Sequence, residues 1–341
     1  MKVRISFILY SFFIMTAITL ANPSLYQEAQ MVYDEYNAVK SKYDSIVNNT
    51  DTWLYAKASE TATNEYSSFA KDSKYDFFTN SEGSISFSED SDGDTLIDFN
   101  FLTVVPLYQS EDLVDTFFAQ LSAGMVEQFG DRRLATNIGA GYRNYSSQDN
   151  LILGVNAFYD HEFSSNHYRV GLGFELKKDL LDLTFNYYEA LSSEKTIKID
   201  NQNGTEKALD GYDVEATHPL PYLPWTRALL SFYKYEGHQG EDPHGFRYGA
   251  ELALHDNIDV EAGYNDDRQS DGIDQNYWFA KLTFKMQPNK GPTLFGTYSE
   301  PISDRAFGKR DVKDTLLKKV RRNNKIMVER SQNGAFKVSG N

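Results

Sequence analysis

From Tyr168 to Lys177 the chain alternates without an error: Tyr168, Val170, Leu172, Phe174 and Leu176 share one parity, and Arg169, Gly171, Gly173, Glu175 and Lys177 the other. A period of two sets successive side chains on opposite faces of a strand. Residues 151–163 repeat the pattern, with Leu151, Leu153, Val155, Ala157, Tyr159 and Phe163 opposed to Gly154, Asn156, Asp160 and Glu162. Leu181, Leu183, Phe185, Tyr187 and Leu191 then face away from Asp182, Thr184 and Asn186. Alternation fits a soluble sandwich, whose apolar parity meets a core, as well as a membrane barrel, whose apolar parity meets lipid.

Extending the pattern gives strands at about 83–89, 94–108, 115–129, 131–145, 149–163, 166–178, 181–192, 209–219, 225–237, 244–256, 257–268 and 274–287. Most run about 10 to 15 residues, longer than ordinary soluble strands and long enough to cross a bilayer at a tilt. An even count returns both ends to one side of a membrane. The connections also sort by parity. One set is short (109–114, 146–148, 179–180, 220–224 and the junction at Asn257), whereas the other includes the longest, Ser193 to Ala208. Membrane barrels keep short turns on the periplasmic side and longer loops outside, and a sandwich has no reason to sort them. The expected fold is therefore all-β: a 12-stranded antiparallel transmembrane β-barrel over 83–287.

Ahead of it, Lys2 and Arg4 precede an apolar stretch to Leu20 and small residues at Thr19 and Ala21, the pattern of a signal peptide over 1–21 cleaved near Ala21. Residues 22–82 change character. Tyr26, Ala29, Val32, Tyr33, Tyr36, Val39, Tyr43 and Ile46 recur at spacings of three and four, which predicts a periplasmic helical segment and a surface for homodimer pairing.

Composition agrees with a barrel. Mean hydropathy is −0.54 and net charge −15, alongside 23 Tyr and 23 Phe. Lipid-facing strands average to a hydrophilic sequence when the opposite face lines a wet lumen, and aromatic girdles raise Tyr and Phe. The acidic balance argues against nucleic acid as a partner, and the absence of Cys leaves the strand ladder to hold an exported chain. The inward parity carries Arg133, Arg143, Asp160, Glu162, Arg169, Glu175, Lys177, Glu251, Asp259 and Glu261, the mixed charges of a wet or plugged channel. Glycines on that parity, such as Gly139, Gly141, Gly171 and Gly173, mark close approach of something to the wall, a neighbouring bend or a polypeptide threaded through the pore.

Together, Ala135 to Tyr142, Leu153 to Asp160, Phe163-Ser-Ser and Tyr168 to Glu175 resemble the β-domain of the intimin/invasin family, the inverse autotransporters. Gly211-Tyr-Asp-Val214 and His218 to Tyr222 resemble its later strand and Pro-containing periplasmic turn. Arg322-Asn323-Asn324, with Ile326 and Glu329, is similar to the motif just after the barrel that leads into the exported passenger. The resemblance implies insertion by the outer-membrane assembly machinery with periplasmic chaperones, a pore-traversing linker over 288–330, and cell adhesion as a family property. Residues 331–341 read as a short tail without a passenger domain, so adhesion is not carried over.

Nothing argues for catalysis. Asp90, Asp92 and Asp94 are spaced like a calcium loop, but the glycine is misplaced at Gly93 and a hairpin turn is preferred. His161, between Asp160 and Glu162, sits at a strand end. No enzyme activity, cofactor or metal is expected. Two functions remain: a translocator and anchor displaying its C-terminal segment, or a channel that this segment plugs for good.

Overall fold

A computed structural model describes residues 79–89, 95–199, 202–268, 274–332 and 335–339. The signal peptide, the helical segment up to residue 78 and the acidic turn at 90–94 lie outside the described residues. Strands β1 (Ser81–Glu89), β2 (Thr95–Gln109), β3 (Asp115–Gln128), β4 (Asp131–Ser146), β5 (Leu151–Glu162), β6 (His167–Lys178) and β7 (Leu181–Ala190) follow one another as antiparallel neighbours. The chain then leaves the wall for a hairpin, β8 (Lys195–Ile199) and β9 (Gln202–Ala208). It returns as β10 (Gly211–Leu220), β11 (Leu223–Tyr235), β12 (His244–His255), β13 (Ile258–Arg268) and β14 (Asp274–Lys285). β10 pairs with β7, and β14 pairs with β1 from Glu82↔Lys285 to Phe87↔Ala280, so twelve strands close into a barrel. Closure removes every edge, a requirement where no water can satisfy a free N–H or C=O.

The turns carry the backbone chemistry of tight hairpins. Phe129 and Gly130 both have positive φ (52° and 74°), as a type I′ turn needs, and Asp179 and Tyr222 take the left-handed region in the two-residue connections at the other end. The pattern of faces is sharp. Leu134, Ile138, Leu153, Val155, Leu172, Phe174, Phe185, Leu230, Trp278 and Phe284 are all exposed on the outside, whereas Arg133, Arg143, Asp160, Arg169 and Glu175 are buried within. A continuous apolar outer belt around a charged interior is stable in lipid and not in water.

After β14 the chain stays with the barrel. Residues 286–311 run along the rim that carries the short turns. Leu294 N–H donates to the Ala253 carbonyl (2.9 Å), Ser303 N–H to Tyr222 (3.0 Å) and Arg310 Nε to Asp179 (2.6 Å). A 3₁₀ turn at Val312–Thr315 enters the barrel, and Val312 and Leu316 pack on Tyr145 and Ile152. Leu317 and Val320 meet Leu102, Val104, Phe118 and Phe158 further along. The segment emerges at the opposite mouth as β15 (Val328–Gln332) and β16 (Ala335–Ser339), which join the hairpin in a four-stranded sheet of order β16-β15-β9-β8. The stretch from Ser193 to Ala208, read from sequence as a plain loop, is thus a strand hairpin. Its pairing partner lies some 120 residues further on, where local alternation gives no hint of it.

Candidate lumen site

The seat of the threaded segment is built from glycines upward. Phe158 on β5 stands opposite Gly139 on β4 and Gly171 on β6, and Gly171 also faces Tyr188 on β7. A Cβ at Gly139 would lie 2.3 Å from the Phe158 ring. The missing side chains let the rings lie against the wall, and these neighbouring rings, more than the threaded segment, occupy the space the glycines leave. The exception is Gly171, whose Cβ would meet Arg322 Nη2 at 3.1 Å.

Arg322 uses the shelf so made. Its guanidinium carbon is 4.2 Å from the Phe158 centroid and 5.4 Å from that of Tyr188, and its two terminal nitrogens donate to both oxygens of Asp160 at 2.8 and 2.6 Å. Fork-to-fork geometry of this kind is the strong form of an ion pair. Asp160 also accepts from Arg169 Nε (2.7 Å) and Asn137 Nδ2 (2.8 Å), so a wholly buried carboxylate has its lone pairs filled.

A backbone threaded through a lumen has no strand beside it, and side chains from the wall must satisfy its polar groups. Tyr188 Oη accepts from Asn323 N–H (2.8 Å), Arg169 Nη2 donates to the Asn323 carbonyl (2.6 Å), and Asn137 Nδ2 donates to that of Asn324 (3.1 Å). Arg143, paired with Glu175, donates to the carbonyls of Leu316 (2.6 Å) and Lys318 (2.8 Å), while Gln120 accepts from Val320 N–H (2.7 Å). The basic run of the segment meets an acidic wall: Lys319 pairs with Glu82, Lys325 with Asp98, and Arg321 with Glu215, Glu251 and Glu261.

The residues singled out from sequence divide accordingly. Arg143, Asp160, Arg169, Glu175, Glu251 and Glu261 hold the segment directly or through one neighbour. Lys177 lies 3.6 Å from Glu175, and Asp259 pairs with Lys285 near the short-turn rim. Arg322, Asn323 and Asn324 sit inside the barrel, and Ile326 is buried with Ala208 and Val328 at the exit. Arg133 on β4 and Glu162 on β5 (3.3 Å apart) lie at the barrel mouth, where Arg133 reaches the external sheet. There Glu206 on β9 accepts from Arg133 (2.8 and 2.7 Å), His167 (3.1 Å) and Arg330 (2.6 Å). Burial alone would raise the Glu206 pKa, but hydrogen bonds from His167 and Arg133, the Arg133 charge and the bond from Arg330 hold it well below the usual carboxylate range. Glu329 accepts from three successive backbone amides, His238 (2.9 Å), Gln239 (2.9 Å) and Gly240 (3.4 Å). Phe158 and Tyr188 were not singled out from sequence, although the parity of Asp160 and of Asn186 puts both inside. Glu206 and His167 left no signal, because the hairpin itself did not show. His161 points outward and stacks on Phe163 at 4.3 Å.

A closed barrel with a lipid-compatible belt, traversed by its own C-terminal segment, defines an outer-membrane anchor and translocator. The chain belongs to the inverse autotransporter β-domain family, which it matches over residues 34–324. It is 31% identical over 201 residues to the inverse autotransporter adhesin YeeJ of Escherichia coli K12, covering 57% of this chain and 7% of that protein. Against the invasin of Yersinia enterocolitica it is 31% identical over 134 residues, 39% of this chain and 15% of the relative. The chain thus spans a small part of the length of these relatives. A solved structure from work on in-meso crystallization of membrane proteins shares the fold, with a TM-score of 0.56 and 19% identity over 74% of this chain and all of the other.

Proposed function

We propose that the chain sends its C-terminal segment out through its own barrel and keeps it seated there, so that whatever follows residue 330 is displayed at the cell surface. The observation that carries this reading is the path of the main chain from the rim of short turns at Arg310, past Asp160, to the opposite mouth at Val328. Short turns mark the periplasmic side, so that path runs outward. In this reading residues 83–287 are the barrel, 288–330 the crossing linker and 331–341 an external tail. Residues 1–21 are a signal peptide cut near Ala21, and the stretch from residue 22 up to the barrel, which begins at Ser81 rather than after residue 82, is a helical periplasmic element able to pair two copies. The lumen-facing charges and the Arg322-Asn323-Asn324 motif act as its seat, with no catalytic, cofactor or metal role. Insertion falls to the barrel-assembly machinery and periplasmic chaperones. Adhesion, present in the name of one relative, would depend on chain beyond the matched stretch.

The second reading, a permanently plugged channel, is favoured by how completely the segment is bonded to the wall. Both are tested on intact cells with a membrane-impermeant maleimide, since the native chain has no Cys. Ser339→Cys and the loop control Ser193→Cys should label, and the periplasmic-turn variant Ser147→Cys should not. Protection of position 339 with labelling at 193 would place the tail in the pore or the periplasm and leave the plug.

A further inference from the structure

Part of what fixes the external hairpin β8–β9 owes nothing to the threaded segment. Its strands pair with each other from Lys195↔Glu206 to Ile199↔Gln202. Glu206 is tied to the barrel by Arg133 of β4 and His167 of β6, and His167 is held in turn by Ser192 Oγ at 2.9 Å. The loop after β11 is also set independently, since Glu236 N–H donates to the Asp210 carbonyl (2.8 Å) and Gly237 N–H to Asp242 (3.1 Å). Without the segment these parts would present three things side by side: the main-chain edge of β9, a buried carboxylate at Glu206, and a row of backbone N–H groups at His238, Gln239 and Gly240 aimed at one point.

β15 meets all three. Its main chain pairs with β9 from Val328↔Ala208 to Ser331↔Thr205. Successive side chains of a strand point to opposite sides, and the two neighbours Glu329 and Arg330 are each received by a different partner. Glu329 takes the three amides, and Arg330 reaches Glu206 (2.6 Å) and Asp131 (3.0 Å). Gly204 keeps the approach open, since a Cβ there would lie 2.9 Å from the Ser331 carbonyl oxygen. Convergent backbone amides form an anion-binding concavity, and a free strand edge accepts an extended peptide by main-chain pairing.

We propose that the outer face of this barrel is a preformed docking site for an extended polypeptide bearing an acidic residue followed by a basic one, and that its occupant is the chain's own emerging segment, captured at Glu329-Arg330. The proposal rests on the export reading above. The hairpin is then a template on which the first strands outside the membrane form, and β16 folds onto β15 only after β15 has docked.

Two measurements on the full-length protein test this. In cells, Thr205→Cys with Ser331→Cys should give an oxidised monomer on a non-reducing gel. A cross-linked dimer would make the occupant a second copy and overturn self-capture. In purified protein carrying Glu329→Lys and Arg330→Glu, amide exchange over 328–339 should speed up about tenfold or more, as expected for losing charged hydrogen bonds, while amides of 195–206 paired within the hairpin keep their protection. Loss of protection in the hairpin to the same extent would show that no template exists before docking. Should the charge-exchanged chain fail to assemble, Ser331→Pro removes a main-chain donor of β15 together with the Ser331 hydroxyl bond to Gln239 (2.9 Å), leaves Glu329 and Arg330 in place, and allows the same comparison. Failure of export shows separately, as lack of labelling of Ser339→Cys in the otherwise native chain.

Discussion

Arg322 and Asp160 meet end to end inside the barrel, both guanidinium nitrogens on both carboxylate oxygens at 2.8 and 2.6 Å, with each side chain only 1% exposed. Such a pair is stable only when the remaining lone pairs and protons are satisfied. Arg169 and Asn137 complete Asp160, while the Phe158 and Tyr188 rings cover the faces of the guanidinium. The pair fixes which residue of the segment stops at mid-lumen.

Asp160→Asn should therefore release the segment while leaving the barrel closed. Removing one partner of a buried pair costs about 3–5 kcal/mol, and here two arginines lose their carboxylate. The expected result is rapid amide exchange over 316–327 with barrel strands still protected. Combining it with Arg322→Gln should cost much less than the sum of the two single changes. Strict additivity would show that the contact carries no coupling.

Gly141 tests the shelf. A Cβ there would lie 2.3 Å from the Phe118 ring, on which Arg143 rests at 4.3 Å. Gly141→Ala has to push that ring inward and should cost about 1–3 kcal/mol as overpacking, seen as lower folded yield by heat-modifiable gel mobility. Gly83→Ala, with nothing within 4 Å of the added atom, should fold like the native chain.

The outer belt makes a separate prediction. Leu172, 59% exposed near the middle of β6, faces lipid. Leu172→Arg should cost about 2–4 kcal/mol, while Leu172→Ala keeps the face apolar and should cost much less. Equal losses of folded protein would mean that this face does not meet hydrocarbon.

The barrel was legible because its information is local. A run such as Tyr168–Lys177 states its own period, its two faces and its turns, and each wall strand pairs with a near neighbour in sequence except at β7–β10 and at the β1–β14 closure. The threading left a trace in the basic stretch Lys309 to Arg322 within an acidic chain, but not its partners, since Glu82, Glu215 and Glu261 come from strands far apart in sequence. Gly139 announced that something came close. Only the register Gly139↔Phe158 reveals that it is a ring of the next strand. The four-stranded external sheet was invisible for the same reason: β9 pairs with β15 across more than a hundred residues, and five alternating positions in Lys195–Ile199 are too few to read as a strand.

Acid should loosen that sheet before it touches the barrel. The Glu206 pKa is depressed in the folded protein relative to its ordinary value of 4.5. A group so shifted binds fewer protons when folded, so its stabilisation is fully present above about pH 4.5 and is lost as pH falls from there toward the lower folded value. Protonating Glu206 weakens its bonds to Arg133 and Arg330 together, and the Arg330 bond is one tie between β15 and the hairpin beside the main-chain pairing. The expected outcome is that protease cleavage within 328–339 speeds up progressively as pH falls below about 4.5, while the barrel keeps its unheated gel mobility. Glu206→Gln cannot titrate, so it should show the faster cleavage already at neutral pH and little further change on acidification. A full acid response in Glu206→Gln would assign the loosening to another group.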